Sequence, residues 1–183
     1  MPSVEPFYRG EVEVLIDEKA LAARIGELGQ EITRDYRGKE LTVVSILKGS
    51  VFFATDLVRQ VALPLTMDFL GVSSYDEMET TGEVRITSDV TRPMAGKDLL
   101  IVEDIIDTGL TMKFITENLR ARHPASIRIC ALLEKPARAM TKIAIDYRGF
   151  VIEDVFVVGY GLDYCEKYRN LPFIGSLLRA VAT

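Results

Sequence analysis

The sequence predicts an α/β fold: a parallel twisted sheet flanked by helices. Three observations point to it. Apolar runs at 41–47, 65–72, 99–102 and 126–133 read as strands, and the run at 99–102 is unbroken, as expected of a strand buried on both faces. Segments with apolar residues at helical spacing alternate with these runs, the order that builds parallel strands through helical crossovers. Polar tips separate strand from helix, and in such sheets ligands gather beyond the carboxyl ends of the strands.

In chain order, residues 1–16 read as extended, with alternation at Val12, Val14 and Ile16. Asp17 is placed to cap a helix that carries Leu21, Ile25, Leu28, Ile32 and Tyr36 along one face and ends at Arg37 and Gly38. The strand at 41–47 runs into Lys48, Gly49 and Ser50, and a helix follows at 51–61 with Leu57 and Val61 on its inner side. After the strand at 65–72, residues 73–83 (SSYDEMETTGE) are polar, turn-rich and without period. A loop of that size in a compact domain is usually functional or mobile. Residues 84–90 alternate like a returning strand, which makes the pair a long hairpin or flap. The strand at 99–102 then leads through a polar tip to a helix with Met112, Ile115 and Leu119 in phase. Strands at 126–133 and 151–158, with a short one at 143–147, complete the sheet. There is no internal repeat, low-complexity tract or clear linker, so the chain reads as a single domain, 1–183.

Composition narrows the function. With 183 residues, 48% of them hydrophobic, the chain can bury one core. A net charge of −5 argues against a general nucleic-acid or membrane-surface binder, although a local basic pocket for a phosphorylated ligand remains compatible with it. Cys130 and Cys165 lack metal-type spacing and suit a reduced, cytoplasmic protein. The opening residues MPSVEPFYRGEVEV show neither a basic cap with an apolar core nor a long apolar span, so no signal peptide or transmembrane helix is expected. No GxxxxGK[ST] string occurs, which removes a P-loop nucleotidase. His123, alone near a helix end, is given no role.

The chemistry concentrates in residues 99–111, LLIVEDIIDTGLT. Glu103 and Asp104 stand where the strand ends, and Asp107, Thr108, Gly109, Leu110 and Thr111 open the helix. Free backbone N–H groups and two hydroxyls at a helix start suit an anion. The acidic pair cannot serve that anion; it suits a sugar diol, a hydrated magnesium ion, or both. The bland alternative is an acidic turn with Asp107 or Thr108 as an ordinary N-cap.

This string resembles the signature of the type I phosphoribosyltransferases, and four further motifs follow the same family order between residues 41 and 172. The resemblance implies a small hood over the sheet and a flexible flap. It implies that Glu103 and Asp104 hold the ribose hydroxyls and that 107–111 wrap the ribose phosphate. LKGS, alone a strand-to-helix turn with Ser50 as N-cap, then looks like a pyrophosphate loop formed by Lys48 and Gly49. In the family, the peptide joining that lysine and glycine can be cis. In LLEKPAR, Lys135 would otherwise be a solvated strand end; by resemblance it reaches the exocyclic oxygen of a 6-oxopurine. In DVFVVGYGLDYCEKYRNLP, Phe156 and Val157 would ordinarily be core; by resemblance Phe156 stacks on the purine and the Val157 backbone reads its edge. Asp163 would bind magnesium directly or through water beside the purine, and Arg169 would meet pyrophosphate. Ser73, Ser74 and Tyr75 match the start of the mobile lid. Leu110 stands where some members have lysine, and residues 1–40 carry no motif.

The implied activity is transfer of the 5-phosphoribosyl group from phosphoribosyl pyrophosphate to hypoxanthine, guanine or both, with Mg2+ as cofactor and Asp107 as general base. Family members are usually homodimers or homotetramers. A xanthine-preferring relative and a non-catalytic phosphoribosyl pyrophosphate-binding regulator are the alternatives; intact Lys48, Gly49, Asp107, Lys135 and Arg169 favour catalysis.

Overall fold

The strand and helix signals of the sequence resolve into two sheets of very different size. The computed structural model describes residues 8, 10–74 and 84–178, with the side chain of Ser74 left out. The elements are β1 (Val12–Ile16), α1 (Glu18–Asp35), β2 (Leu41–Leu47), α2 (Val51–Gln60), β3 (Leu65–Ser74), β4 (Val84–Ser88), β5 (Asp98–Ile106), α3 (Leu110–Arg120), β6 (Ser126–Glu134), β7 (Tyr147–Val151), β8 (Val157–Val158) and β9 (Ile174–Leu177). Among the described residues, the main sheet has the order β4-β3-β2-β5-β6-β7 and is parallel except for β4. A second, antiparallel sheet, β1-β9-β8, forms the expected hood and carries its own small core of Val12, Val158, Leu171 and Phe173.

The unbroken apolar strands are explained by coverage of both faces. Leu100 and Val102 of β5 join α1 and α2 in one core, while Leu99 and Ile101 point the other way and pack with Met112, Ile115 and Leu119 of α3. Successive side chains of a strand alternate in direction, so a strand covered on both sides is apolar at each position. The predicted helix faces are confirmed: Leu21, Ile25, Leu28, Ile32, Tyr36, Leu57 and Val61 are all buried. Asp17 caps α1, its Oδ1 accepting from the Ala20 amide at 2.8 Å.

Several expectations need correction. The stretch 151–158 is not one strand: β7 ends at Val151, residues 152–156 turn, and only Val157–Val158 pair again, in the hood. The acidic Glu153 and Asp154 lie in that turn, where the Val155 amide bonds back to the Glu153 carbonyl at 2.8 Å. The short strand expected at 143–147 starts only at Tyr147. In β1 the alternation fails at Val14, which is 50% exposed beside an irregularity in the pairing with β9. The hairpin is present in its two arms, β3 and β4, paired from Gly71 with Ser88 to Ser74 with Val84. Tyr75 and the rest of the flap tip lie outside the described residues. No helix among the described residues is long and apolar enough to cross a membrane.

The far end of α1 is pinned to the sheet by a charged aromatic cluster. Tyr36 is fully buried and its hydroxyl donates to the Leu99 carbonyl at 3.2 Å. Arg128 stacks over the Tyr36 ring at 5.6 Å and reaches Asp35 at 3.2 Å, while the Tyr147 hydroxyl lies 3.1 Å from the same carboxylate oxygen. Burial works against ionisation of Asp35, but hydrogen bonds from Tyr147 and Arg34 and the charges of Arg34 and Arg128 hold its carboxyl below the ordinary value of 3.8. A depressed folded-state pKa stabilises the fold above the unfolded value and loses that contribution as pH falls through the folded one. Asp35→Asn is therefore expected to lower the urea midpoint at about pH 6 and to converge with the native protein in acid, below the ordinary carboxylate pKa. A gap of constant size across that range in urea titrations would show that the cluster does not depend on the charge.

Candidate active site

Strand order places the site. β2 leads through α2 to β3 on one side, whereas β5 leads through α3 to β6 on the other, so the chain diverges between the adjacent strands β2 and β5. The loops after these two strands therefore open toward one crevice. The tip after β2 contains a cis peptide, between Leu47 and Lys48. It lies one bond earlier than the Lys48–Gly49 position suggested by family resemblance. What distinguishes Gly49 is packing: a Cβ there would lie 1.6 Å from Asp104 Oδ2. Gly161, at φ +103°, brings in the third tip, and a Cβ on it would lie 2.0 Å from the Gly49 carbonyl oxygen. The predicted convergence of the loops at 48–50, 103–111 and 159–163 is thus a close-packed contact.

Ser50 occupies the N-cap position of α2, but its side chain makes no cap bond. Its hydroxyl turns inward, donates to the Ile46 carbonyl at 2.6 Å and lies 2.7 Å from Ser45 Oγ. The N-cap position of α3 is Gly109, at φ +80°, not Asp107 or Thr108, although the Thr108 hydroxyl accepts from the first helical amide, that of Leu110, at 3.4 Å. The Thr108 carbonyl accepts from the amides of Met140 and Thr141, at 3.0 and 3.2 Å, which holds the 107–111 loop against the segment beyond β6. The amides of the first turn of a helix have no intrahelical acceptor, so this loop keeps donors for an anion.

A cavity of about 420 Å³ lies between the tips, lined by Lys48 and Gly49, by residues 103–109 and 111–112, and by Ser73, Asp163 and Arg169. Glu103 is buried, and its carboxyl is raised well above the ordinary range, first by burial and then by the charge of Asp104. Two adjacent acids in this position favour a nearby cation or hydroxyl donors. Asp163 Oδ1 pairs with Arg169 at 2.6 Å and its Oδ2 accepts from the Glu166 amide at 2.9 Å. Glu103, Asp104 and Asp163 line the same cavity, although among the described residues no three carboxylate, histidine or cysteine side chains group closely enough to hold a metal ion without a ligand's own oxygens.

Asp107 is held on one side only. Its Oδ2 meets Arg138 at 3.1 Å, and its Oδ1 is buried without a hydrogen-bond partner among the described residues. It also borders a neighbouring cavity of about 400 Å³ that holds Lys135. Lys135 is not a solvated strand end: it is 6% exposed, and its Nζ lies 4.0 Å from Asp154. Phe156 is not core either; it is 54% exposed and meets the Tyr164 ring edge-on at 5.6 Å. Val157 is buried and pairs with Ser176 in the hood. Phe156 and Val157 border neither of these two cavities, and the Leu110 side chain points to solvent at 43% exposure. Two contributors carried no signal in the sequence: Arg138, one basic residue in LLEKPAR, and Glu166, one acid in DYCEKYR. Their roles depend on contacts across loops that spacing does not encode.

The fold and this crevice define an α/β scaffold with a polar cavity at the tips of its parallel strands. The chain belongs to the phosphoribosyltransferase family: the phosphoribosyl transferase domain matches residues 11–165. It is 45% identical over 178 residues to the hypoxanthine-guanine phosphoribosyltransferase of Mycobacterium tuberculosis, covering 93% of this chain and 88% of that protein. It is 46% identical over 170 residues to the hypoxanthine phosphoribosyltransferase of Escherichia coli, covering 91% of this chain and 96% of that one. A crystal structure of a Staphylococcus aureus hypoxanthine phosphoribosyltransferase superimposes with a TM-score of 0.90 at 46% identity, covering 95% of this chain and 96% of its own.

The two close-packed glycines differ in what opposes them. Gly49→Ala collides with the end of the Asp104 side chain, which can rotate away, whereas Gly161→Ala collides with backbone and must also adopt a left-handed conformation. Gly161→Ala is expected to lower unfolding free energy by about 1–3 kcal/mol, and Gly49→Ala by clearly less. Equal losses in urea denaturation would contradict this account of the contact.

Proposed function

We propose that this protein is a purine salvage enzyme that transfers the 5-phosphoribosyl group from phosphoribosyl pyrophosphate to hypoxanthine or guanine, forming the nucleotide and pyrophosphate. The observation that carries this reading is one cavity lined jointly by the 107–111 loop and by Lys48, Asp163 and Arg169. A ligand with a phosphate at one end and a diphosphate at the other fits that division of donors.

In this reading residues 107–111 hold the 5-phosphate, Glu103 and Asp104 take the ribose hydroxyls, and Lys48, Gly49 and Arg169 take the pyrophosphate. Ser73, Ser74 and Tyr75 begin the lid over it. The purine binds between Lys135, which donates to its exocyclic oxygen, the exposed ring of Phe156, and the Val157 and Asp163 segment. The bond from ribose C1 to the pyrophosphate oxygen breaks while a bond to an imidazole nitrogen of the purine forms. Positive charge develops on the sugar, as in glycoside chemistry. The proton displaced from that ring goes to Asp107, whose Oδ1 has a free lone pair directed into a buried site. Arg138 holds the other oxygen and fixes the carboxylate's orientation.

The donor set fits magnesium, which is bound through one or two carboxylates together with substrate phosphates. Glu103 and Asp104 would hold it, and Asp163, whose oxygens also meet Arg169 and the Glu166 amide, would join directly or through water. When bound, the ion would supply positive charge against the phosphate oxygens held by this chain's own residues. A cytoplasmic homodimer or homotetramer acting on small molecules, as one domain spanning 1–183, belongs to the same reading.

The test is a panel of hypoxanthine, guanine and xanthine with phosphoribosyl pyrophosphate and magnesium, scored by nucleotide formed. Hypoxanthine and guanine are expected to be used; preference for xanthine would select the related specificity, and no nucleotide from any base would select a regulator. Asp107→Asn should lower turnover by roughly 10²–10⁴ while phosphoribosyl pyrophosphate still binds. Turnover within about twofold of the native enzyme would remove Asp107 from the role of base.

Lys135→Ala should raise the KM for 6-oxopurines by about 10- to 100-fold, the worth of a charged hydrogen bond, with affinity for phosphoribosyl pyrophosphate nearly intact. Equal loss toward both substrates, measured by steady-state kinetics and direct binding, would make Lys135 a structural residue.

A further inference from the structure

The loop after β8 carries an acid that the proposed reaction does not use. Glu166 places Oε2 3.0 Å from Lys48 Nζ and Oε1 3.6 Å from Arg169 Nη2, so one carboxylate bridges both cations assigned above to pyrophosphate. Two opposed oxygens spanning two cations is the arrangement a diphosphate would make in the same cleft.

The backbone holds Glu166 there. Its φ is +60°, Cys165 before it is at +50° and Tyr168 after it at +73°, conformations that L-residues adopt rarely and keep only where the surroundings impose them. The Glu166 amide donates to Asp163 Oδ2 at 2.9 Å, and Tyr164 bridges to Lys167, which closes the turn. The side chain itself is easily exchanged. Glu166 and Lys48 are 68% and 67% exposed, and exposed ion pairs contribute little. Arg169 differs from both: it is mostly buried, its Nη1 donates to the Gly161 carbonyl at 2.7 Å, and its Nε is buried without a partner among the described residues. The cation at the base of the cleft is therefore fixed, while the carboxylate that reaches it is not.

We propose that Glu166 is a positioning residue that stands in for pyrophosphate: its carboxylate keeps Lys48 and Arg169 in place for the anion, and competes with pyrophosphate for them so that the product leaves. The inference rests on the assignment of Lys48 and Arg169 to pyrophosphate. Binding exchanges a weak carboxylate contact for a multiply charged one, and release exchanges it back. The carboxylate arrives with the loop, so no ion from solution is needed to restore the cleft.

The test measures inorganic pyrophosphate binding, with magnesium, by calorimetry in the full-length protein, its Glu166→Gln variant and its Lys48→Ala variant, alongside steady-state kinetics. Glu166→Gln removes the charge and keeps the shape of an exposed side chain. It is expected to bind pyrophosphate about two- to fivefold more tightly, the range exposed ion pairs span as equilibrium constants. KM for phosphoribosyl pyrophosphate should fall with it and kcat should not rise, a split that a merely structural defect would not give. Unchanged or weaker pyrophosphate binding in Glu166→Gln, with Lys48→Ala still impaired, overturns the role of Glu166 and leaves the cleft assignment standing. Pyrophosphate binding that Lys48→Ala does not weaken overturns the cleft assignment, and the inference with it.

Discussion

The contact between the Gly49 carbonyl, the Asp104 carboxylate and Gly161 is the constraint on which the site depends. β2 and β5 are neighbours whose crossovers diverge, so their tips share a small volume at the centre of the sheet. A side chain on either glycine would fill it. Without that approach, the 48–50 tip, the 103–111 tip and the 159–169 loop would each follow a strand in isolation. With it, three segments separated by some fifty residues each form the wall of one cavity.

An acidic protein that binds polyanions needs its cations placed, because its overall field does not help. Four cations around the crevice have an acid beside them: Lys48 has Glu166, Arg169 has Asp163, Arg138 has Asp107 and Lys135 has Asp154 at longer range. Such pairing orients long side chains that would otherwise sample many rotamers, and leaves the pairs open to exchange where they are exposed. Asp107 differs from the other three acids in that one of its oxygens is buried without a partner among the described residues.

The hood supplies what the main sheet lacks. Its loop concentrates left-handed backbone at Gly159, Tyr160, Gly161, Cys165, Glu166 and Tyr168, and non-glycine members of that set store strain that the surroundings must offset. Part of that support is visible: the Tyr160 hydroxyl donates to Asp56 of α2 at 2.5 Å, and its amide bonds the Leu171 carbonyl at 2.9 Å. The loop is thereby tied to the same helix that follows Lys48 and Gly49, so two walls of the cavity share one support.

The sequence by itself determined the alternation of strands and helices, the inward faces of the helices, Asp17 as a cap, and the strand-to-helix tip that carries Glu103 to Thr111. These are local matters of period and capping, and the local chain is enough to set them. It also carried the strings that mark the family. Only the tertiary structure decided which tips meet, because strand order is a property of crossovers and not of spacing. It moved the cis peptide to Leu47–Lys48, split 151–158 between two sheets, turned Ser50 inward, exposed Phe156 and buried Lys135. It paired Asp163 with Arg169, and it brought in Arg138 and Glu166. Each of these depends on a partner distant in sequence, and a contact between distant loops leaves no period in either of them.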